Sequence, residues 1–188
     1  MIIYLHGFNS SPQSSKASYL QQYFRERGLA GRYVCPGLPP RGDQAIAVVE
    51  AEMARHSGGH FTFVGSSLGG YYATWLAEKH NARAVLINPA ITPHLGLRAY
   101  LGTQKNFHTG EQYELTEAHL GEWEKLYVPA ITPSRYFLLA ETADEVLDYG
   151  EAVARYAGAR QVVVEGGDHS LQSFPEHVPL ILQFAGLG

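Results

Sequence analysis

The sequence predicts an α/β fold: a mostly parallel sheet of about six strands, with helices on both faces and a small helical insertion. Three observations predict it. Short runs rich in β-forming residues recur along the 188-residue chain, separated by helix-length segments. Several of these runs are continuously apolar rather than alternating, as strands buried on both faces of a parallel sheet should be. One of them leads directly into a glycine-flanked serine turn, Gly65-Ser66-Ser67-Leu68-Gly69-Gly70, which is followed by a helix-like segment.

The elements follow in order. The first strand, Ile2–Leu5, is cut short by His6-Gly7, and a helix follows over about Ser15–Arg27. The second strand, Arg32–Cys35, ends before Pro36, and the next helix spans about Asp43–His56, with Gly58-Gly59 breaking it before His60. The third strand, Phe61–Val64, feeds the serine turn and a helix over about Leu68–Lys79; the fourth is Ala84–Ile87. Tyr136–Ala140 and Gln161–Glu165 are the last two strands, with helices at about Glu145–Tyr156 and Pro175–Phe184. Between Asn88 and Tyr136 no run reads as a strand, but helices are expected at about Thr92–Leu101 and Thr116–Leu126. A structureless connection of that length is unusual, so the reading is a single domain over 1–188 with a cap inserted at about 91–133. The cap carries Tyr100, Phe107, Tyr113, Trp123 and Tyr127, which either pack it onto the sheet or line a substrate pocket.

Bulk properties exclude several classes. With 45% hydrophobic and 17% charged residues the chain reads as an ordinary globular protein. A net charge of −4 offers no electrostatic case for nucleic acid or an anionic membrane. No apolar stretch approaches the roughly 18 residues of a membrane span, and the N-terminus lacks the basic region of an export signal. The single cysteine, Cys35, excludes an internal disulfide framework and suits a reducing compartment. The expectation is a cytoplasmic protein. Asn9-Ser10-Ser11 matches a glycosylation sequon, an accidental match without a secretory signal. His56 and His60 have metal-like spacing, but the glycines between them argue against a zinc site.

The serine turn carries the chemistry. A nucleophilic serine on a tight strand-to-helix turn needs small residues two before and two after it. Gly65 and Gly69 satisfy this for Ser67, whereas Ser66 would have Val64 and Leu68 there. A serine hydroxyl needs a base and a group that orients the base. In an open α/β sheet these belong past the C-terminal ends of later strands. Asp144 follows the fifth strand and His169 the sixth, in the hydrolase order of nucleophile, acid, base. Glu141 and Asp148 rival Asp144, whose bland alternative is a helix N-cap. Asp168 is read as a solvated or loop-fixing carboxylate, and His6 as a structural hydrogen-bonding residue. The oxyanion would be received by the backbone N–H groups of Leu68, after the nucleophile, and Phe8, where Gly7 permits a sharp turn.

With these residues in place the chain resembles an α/β-hydrolase and, more narrowly, the small bacterial YqiA-type esterases. The runs that carry the likeness are Tyr4-Leu5-His6-Gly7-Phe8-Asn9-Ser10-Ser11-Pro12 and Val64 to Leu76 around the serine turn. Asn88-Pro89-Ala90, Asp144 to Tyr149 and Glu165-Gly166-Gly167-Asp168-His169 extend it over nearly the whole chain. The resemblance implies a cofactor-free esterase or thioesterase acting on small acyl substrates through Ser67, Asp144 and His169, with no metal. One departure from the wider superfamily is expected: the sequence begins at the strand bearing His6-Gly7, without the usual two preceding strands, as a minimal version of the fold. A non-catalytic binding protein on the same scaffold is the alternative, disfavoured by the intact triad set. A phosphate-binding loop at Gly65–Gly70 is a third reading, and it lacks the Gly-Lys-Ser/Thr ending of a P-loop.

Overall fold

The computed structural model describes residues 1–56 and 59–188. Its first half runs β1 (Ile2–Leu5), α1 (Ser15–Glu26), β2 (Tyr33–Val34), α2 (Gly42–Arg55), β3 (Thr62–Ser66), α3 (Leu68–His80) and β4 (Arg83–Ile87). The second half runs α4 (Pro93–Gly96), β5 (Gly102–Lys105), β6 (Gln112–Leu115), α5 (Glu117–Lys125), β7 (Tyr136–Glu141), α6 (Tyr149–Arg155), β8 (Arg160–Val164) and α7 (Phe174–Ala185). Among these described residues, six strands form one parallel sheet in the order β2-β1-β3-β4-β7-β8. This is the sheet the apolar runs predict.

Burial explains why those runs are continuous. β1, β3 and β7 are buried along their whole length, and β4 in all but its first residue. β2 and β8, at the edges, are only partly covered. Alternate residues serve two cores, as a period of two requires. Ile3, Leu5, Phe63, Leu86 and Leu138 pack against residues of α2, α3, α5 and α6. Ile2, Tyr4, Val64, Val85 and Leu139 pack against residues of α1 and α7 on the other face. The chain leaves β1 in one direction to β2 and returns past it to β3, so the winding reverses beside β1. The loops after β1 and β3 part at this switch point and leave a crevice at the C-terminal ends of the strands.

Three boundaries differ from the sequence reading. The segment between β4 and β7 is not purely helical, because β5 and β6 form a two-stranded antiparallel ribbon. Its strands, Gly-Thr-Gln-Lys and Gln-Tyr-Glu-Leu, are mostly polar, with only Leu115 fully buried, so no apolar run marks them. The helix expected over Thr92–Leu101 is one α-turn, α4, continued by a 3-10 turn at Leu97–Tyr100. Helix α6 starts at Tyr149 rather than Glu145, capped by Asp148, whose side chain accepts the Gly150 N–H at 2.8 Å. Gly58, invoked to end the second helix, lies outside the described residues. Among the described residues no helix is long and apolar enough to cross a membrane.

Candidate active site

Ser67 sits between β3 and α3 with φ 55° and ψ −122°, a left-handed backbone that non-glycine residues rarely adopt. The surrounding glycines make it possible by clearance. A Cβ on Gly65 would run into the Gly69 carbonyl, and one on Gly69 into the Leu5 carbonyl at the end of β1. The turn therefore lies directly on the switch point. Ser67 N–H donates to the Ile87 carbonyl (3.0 Å), while its own carbonyl accepts from Gly70 (2.9 Å) and Ala90 (3.1 Å). Its hydroxyl is not used to cap α3. Ser66 is buried within the strand.

His169 lies in the loop after β8, and its Nδ1 faces Asp144 at 2.8 Å from Oδ2 and 3.0 Å from Oδ1. The Asp144 side chain is 2% exposed and that of His169 21%. Asp144 Oδ1 also accepts the N–H groups of Val146 (2.8 Å) and Leu147 (2.9 Å). An N-cap would make the same two bonds, but here they close an isolated turn, and α6 starts four residues later behind Asp148. Glu141, the rival acid, points elsewhere: its carboxylate accepts the Asp168 N–H (2.8 Å) and the Ser173 hydroxyl (2.7 Å). Asp168 accepts the Ser170 N–H at 2.8 Å and so fixes its own loop.

Ser67 and His169 line one cleft of about 280 Å³ with Tyr4, Gly7, Phe8, Lys16 and Phe107. Gly7 abuts Ser67: a Cβ there would stand 3.2 Å from Ser67 Cβ and 3.7 Å from its Oγ. Gly7 thus serves by leaving room, and the left-handed conformation of this loop belongs to Asn9, at φ 52°. Among the described residues, neither the Phe8 nor the Leu68 N–H donates to another protein group. Leu68 opens α3, so its N–H lies at the positive end of the helix. Leu68 lines a neighbouring cavity of about 140 Å³, which shares Gly7, Phe8 and Ser10 with the cleft.

His6 lies beneath this loop. Its Nε2 accepts the Leu38 N–H at 3.0 Å, and its Nδ1 donates to the Gly7 carbonyl at 3.1 Å. Burial holds its pKa below the ordinary value, the Gly7 bond opposing. The unfolded chain therefore takes up the proton first as pH falls, so this stability is complete above the ordinary histidine value and is lost below it. The slope is at most about 1.4 kcal/mol per pH unit. His119, lowered by burial first and by Arg41, adds in the same direction. Melting temperature should fall by about 2–4 °C for each kcal/mol lost on going from pH 7 to 5. A His6→Gln variant should show a shallower fall; an equal one would remove His6 from the account.

Two residues to which the sequence reading gave no role hold the His169 loop. Asn88, buried at the end of β4 with φ 39°, donates through Nδ2 to the carbonyls of Asp168 and His169, both at 3.1 Å. Its Oδ1 accepts the Glu141 N–H at 3.0 Å, joining β4, β7 and the loop. Lys16, at the start of α1, donates to the Ser170 carbonyl at 2.5 Å. An asparagine between a strand and Pro89 was the available signal for the first. Asn88→Ala should cost about 2–3 kcal/mol in denaturant unfolding, because three bonds go and a buried N–H is left unpaired. A cost under about 0.5 kcal/mol would show that the loop holds without it.

Comparison with known proteins adds to this geometry. The model of an uncharacterised protein family, UPF0227, matches residues 1–186. A UPF0227 protein of Serratia proteamaculans (strain 568) is 33% identical over 96 residues, 50% of this chain and 52% of that one. The match thus spans about half the length of that curated relative. Among solved structures, alpha/beta hydrolase domain-containing protein 10 from mouse has a TM-score of 0.73 at 16% identity, covering 97% of this chain and 87% of that one. A monoacylglycerol lipase of Paleococcus ferrophilus has a TM-score of 0.67 at 14% identity, covering 100% and 94%. At these identities the likeness concerns the fold, which is that of the α/β-hydrolases.

Proposed function

We propose that this chain, which belongs to the uncharacterised protein family UPF0227, is a serine hydrolase that cleaves acyl esters or thioesters. The observation that carries this reading is the left-handed Ser67 backbone opening onto the same cleft as His169, whose Nδ1 lies 2.8 Å from Asp144. With Nδ1 turned to the carboxylate, Nε2 is the nitrogen left for the serine proton. Ser67 Oγ attacks the acyl carbon as His169 Nε2 takes its proton. The Phe8 and Leu68 N–H groups receive the oxyanion. Collapse expels the alcohol or thiol, which leaves with the proton held on His169. Water then repeats the sequence on the acyl-enzyme, with His169 as base, and releases the acid. The scheme draws only on side chains, backbone donors and water.

The esterase and lipase character of fold neighbours supports the reaction class, and the chemistry at Ser67 is what it rests on. In this reading residues 91–133 act as the cap of a single hydrolase domain, covering a cleft sized for a small molecule. The half-buried Cys35 thiol, pushed up to about 12 by desolvation, fits an inert structural cysteine in a reducing cytoplasmic setting. A fluorophosphonate probe should label the native protein at one site, and peptide mapping should find the adduct on Ser67. An unlabelled native protein, or an adduct elsewhere, would overturn the assignment.

A further inference from the structure

The ribbon of β5 and β6 is fastened to the loop that carries the Phe8 N–H. Phe107 N–H donates to the Asn9 carbonyl at 2.8 Å, and Asn106 Nδ2 to the Ser10 carbonyl at 2.7 Å. From the body of the ribbon the Tyr113 hydroxyl donates to Asn9 Oδ1 at 2.7 Å, and Asn9 Nδ2 donates to Gln104 Oε1 at 3.0 Å. Asn9 is the left-handed residue directly after Phe8, so these bonds hold the conformation that aims the Phe8 N–H. The tip of the ribbon is itself fixed, because Asn106 Oδ1 accepts the N–H groups of His108 (2.9 Å) and Thr109 (3.0 Å). On this fixed tip Phe107 is 79% exposed, yet it lines the cleft with Ser67 and His169. A ring so exposed adds little to the core, and its backbone is tied at the cleft that Ser67 and His169 also line.

We propose that Phe107 is the specificity-determining residue of this site, closing over an apolar group beside the scissile bond, with Asn9 and Tyr113 as positioning residues for the Phe8 N–H. The proposal rests on the serine-hydrolase reading above and deepens it. It separates two effects. Phe107 acts by burying apolar surface of the substrate, so its contribution grows with chain length, by up to about fourfold in kcat/KM per methylene covered. Asn9 and Tyr113 act on an oxyanion donor, so their contribution falls on kcat and is indifferent to chain length.

The test uses the whole chain and two ester series. In one, 4-nitrophenyl esters lengthen the acyl group from acetate to hexanoate; in the other, acetates lengthen the alcohol from methyl to hexyl. Phe107→Ala should lower the long-to-short preference by about tenfold in one series, which identifies the group it covers, and Phe107→Leu should restore most of it. Preferences matching wild type in both series would overturn the role of Phe107. Tyr113→Phe should lower kcat about fivefold at every chain length with KM little changed. Adding it to Asn9→Ala should cost almost nothing further, since both break the same contact. An effect of Tyr113→Phe on KM alone, or losses that multiply in the double variant, would overturn the positioning role. Fluorophosphonate labelling of the native protein, run alongside, separates the two failures. A native protein that labels while its variants behave as wild type removes only this proposal, whereas one that neither labels nor turns over removes the hydrolase reading beneath it.

Discussion

Ser67→Ala is expected to lower ester turnover by about 10⁴-fold or more while leaving the melting temperature almost unchanged. The two halves of this result come from different atoms. Alanine removes Oγ, and with it the acyl-enzyme route. It keeps Cβ, and therefore the left-handed strain and the packing of the turn on Gly7 and Gly65. Ser67→Gly should be equally inactive but more stable, because glycine occupies φ 55° freely. The strain released is of order 1–3 kcal/mol, so the glycine variant should melt several degrees higher. Steady-state kinetics and calorimetry on the three proteins check this. An alanine variant retaining more than about a hundredth of wild-type kcat would mean that Ser67 is not the nucleophile. A glycine variant melting below wild type would mean that the serine geometry is not strained.

Much of the fold could be read in advance because a parallel sheet writes itself into sequence. Its inner strands are buried on both faces, so Ile2–Leu5 and Tyr136–Ala140 admit almost only apolar residues. The β5–β6 ribbon leaves no such mark. Its strands are stabilised by each other and by Asn9, more than ninety residues away, through contacts that no local window contains. The start of α6 escaped for a similar reason. Either Asp144 or Asp148 could cap a helix by composition, and both accept the N–H two residues on, yet only the turn behind Asp148 continues into a helix.

The candidate site was legible where steric demand is local. Gly65 and Gly69 single out Ser67 because the clearances they provide belong to one turn. Gly7 was recognised for conformational freedom, whereas what it supplies is room beside Ser67. The role of the residues that hold the His169 loop was not legible. Asn88, Glu141 and Lys16 come from three elements, and only the sheet order brings β4 beside β7 and α1 to the loop after β8. Their side chains contact backbone groups rather than one another, so no pattern of residue types announces them.

Asp144→Asn is expected to reduce kcat by about 10⁴-fold without disturbing the fold, through the imidazole tautomer. The argument turns on the two backbone donors behind the carboxylate. Val146 and Leu147 present their N–H groups to Oδ1 at 2.8 and 2.9 Å, and only an oxygen can accept them. An asparagine must therefore place its carbonyl there and turn its NH₂ toward His169 Nδ1. Facing a donor, Nδ1 becomes an acceptor and the ring proton moves to Nε2, the nitrogen that has to take the Ser67 proton. The base is thus blocked while every neighbouring bond survives, so the melting temperature should stay near that of wild type. Asp144→Ala should do the reverse in part: it leaves the two N–H groups and Nδ1 without partners, costing about 2–3 kcal/mol of stability, yet lets the imidazole choose its tautomer. Turnover by the alanine variant should then equal or exceed that by the asparagine variant, despite its weaker fold. The informative measurement is the ¹⁵N spectrum of His169, where Asp144→Asn should move the proton from Nδ1 to Nε2. An unchanged tautomer together with wild-type kcat would exclude Asp144 as the residue that orients the base.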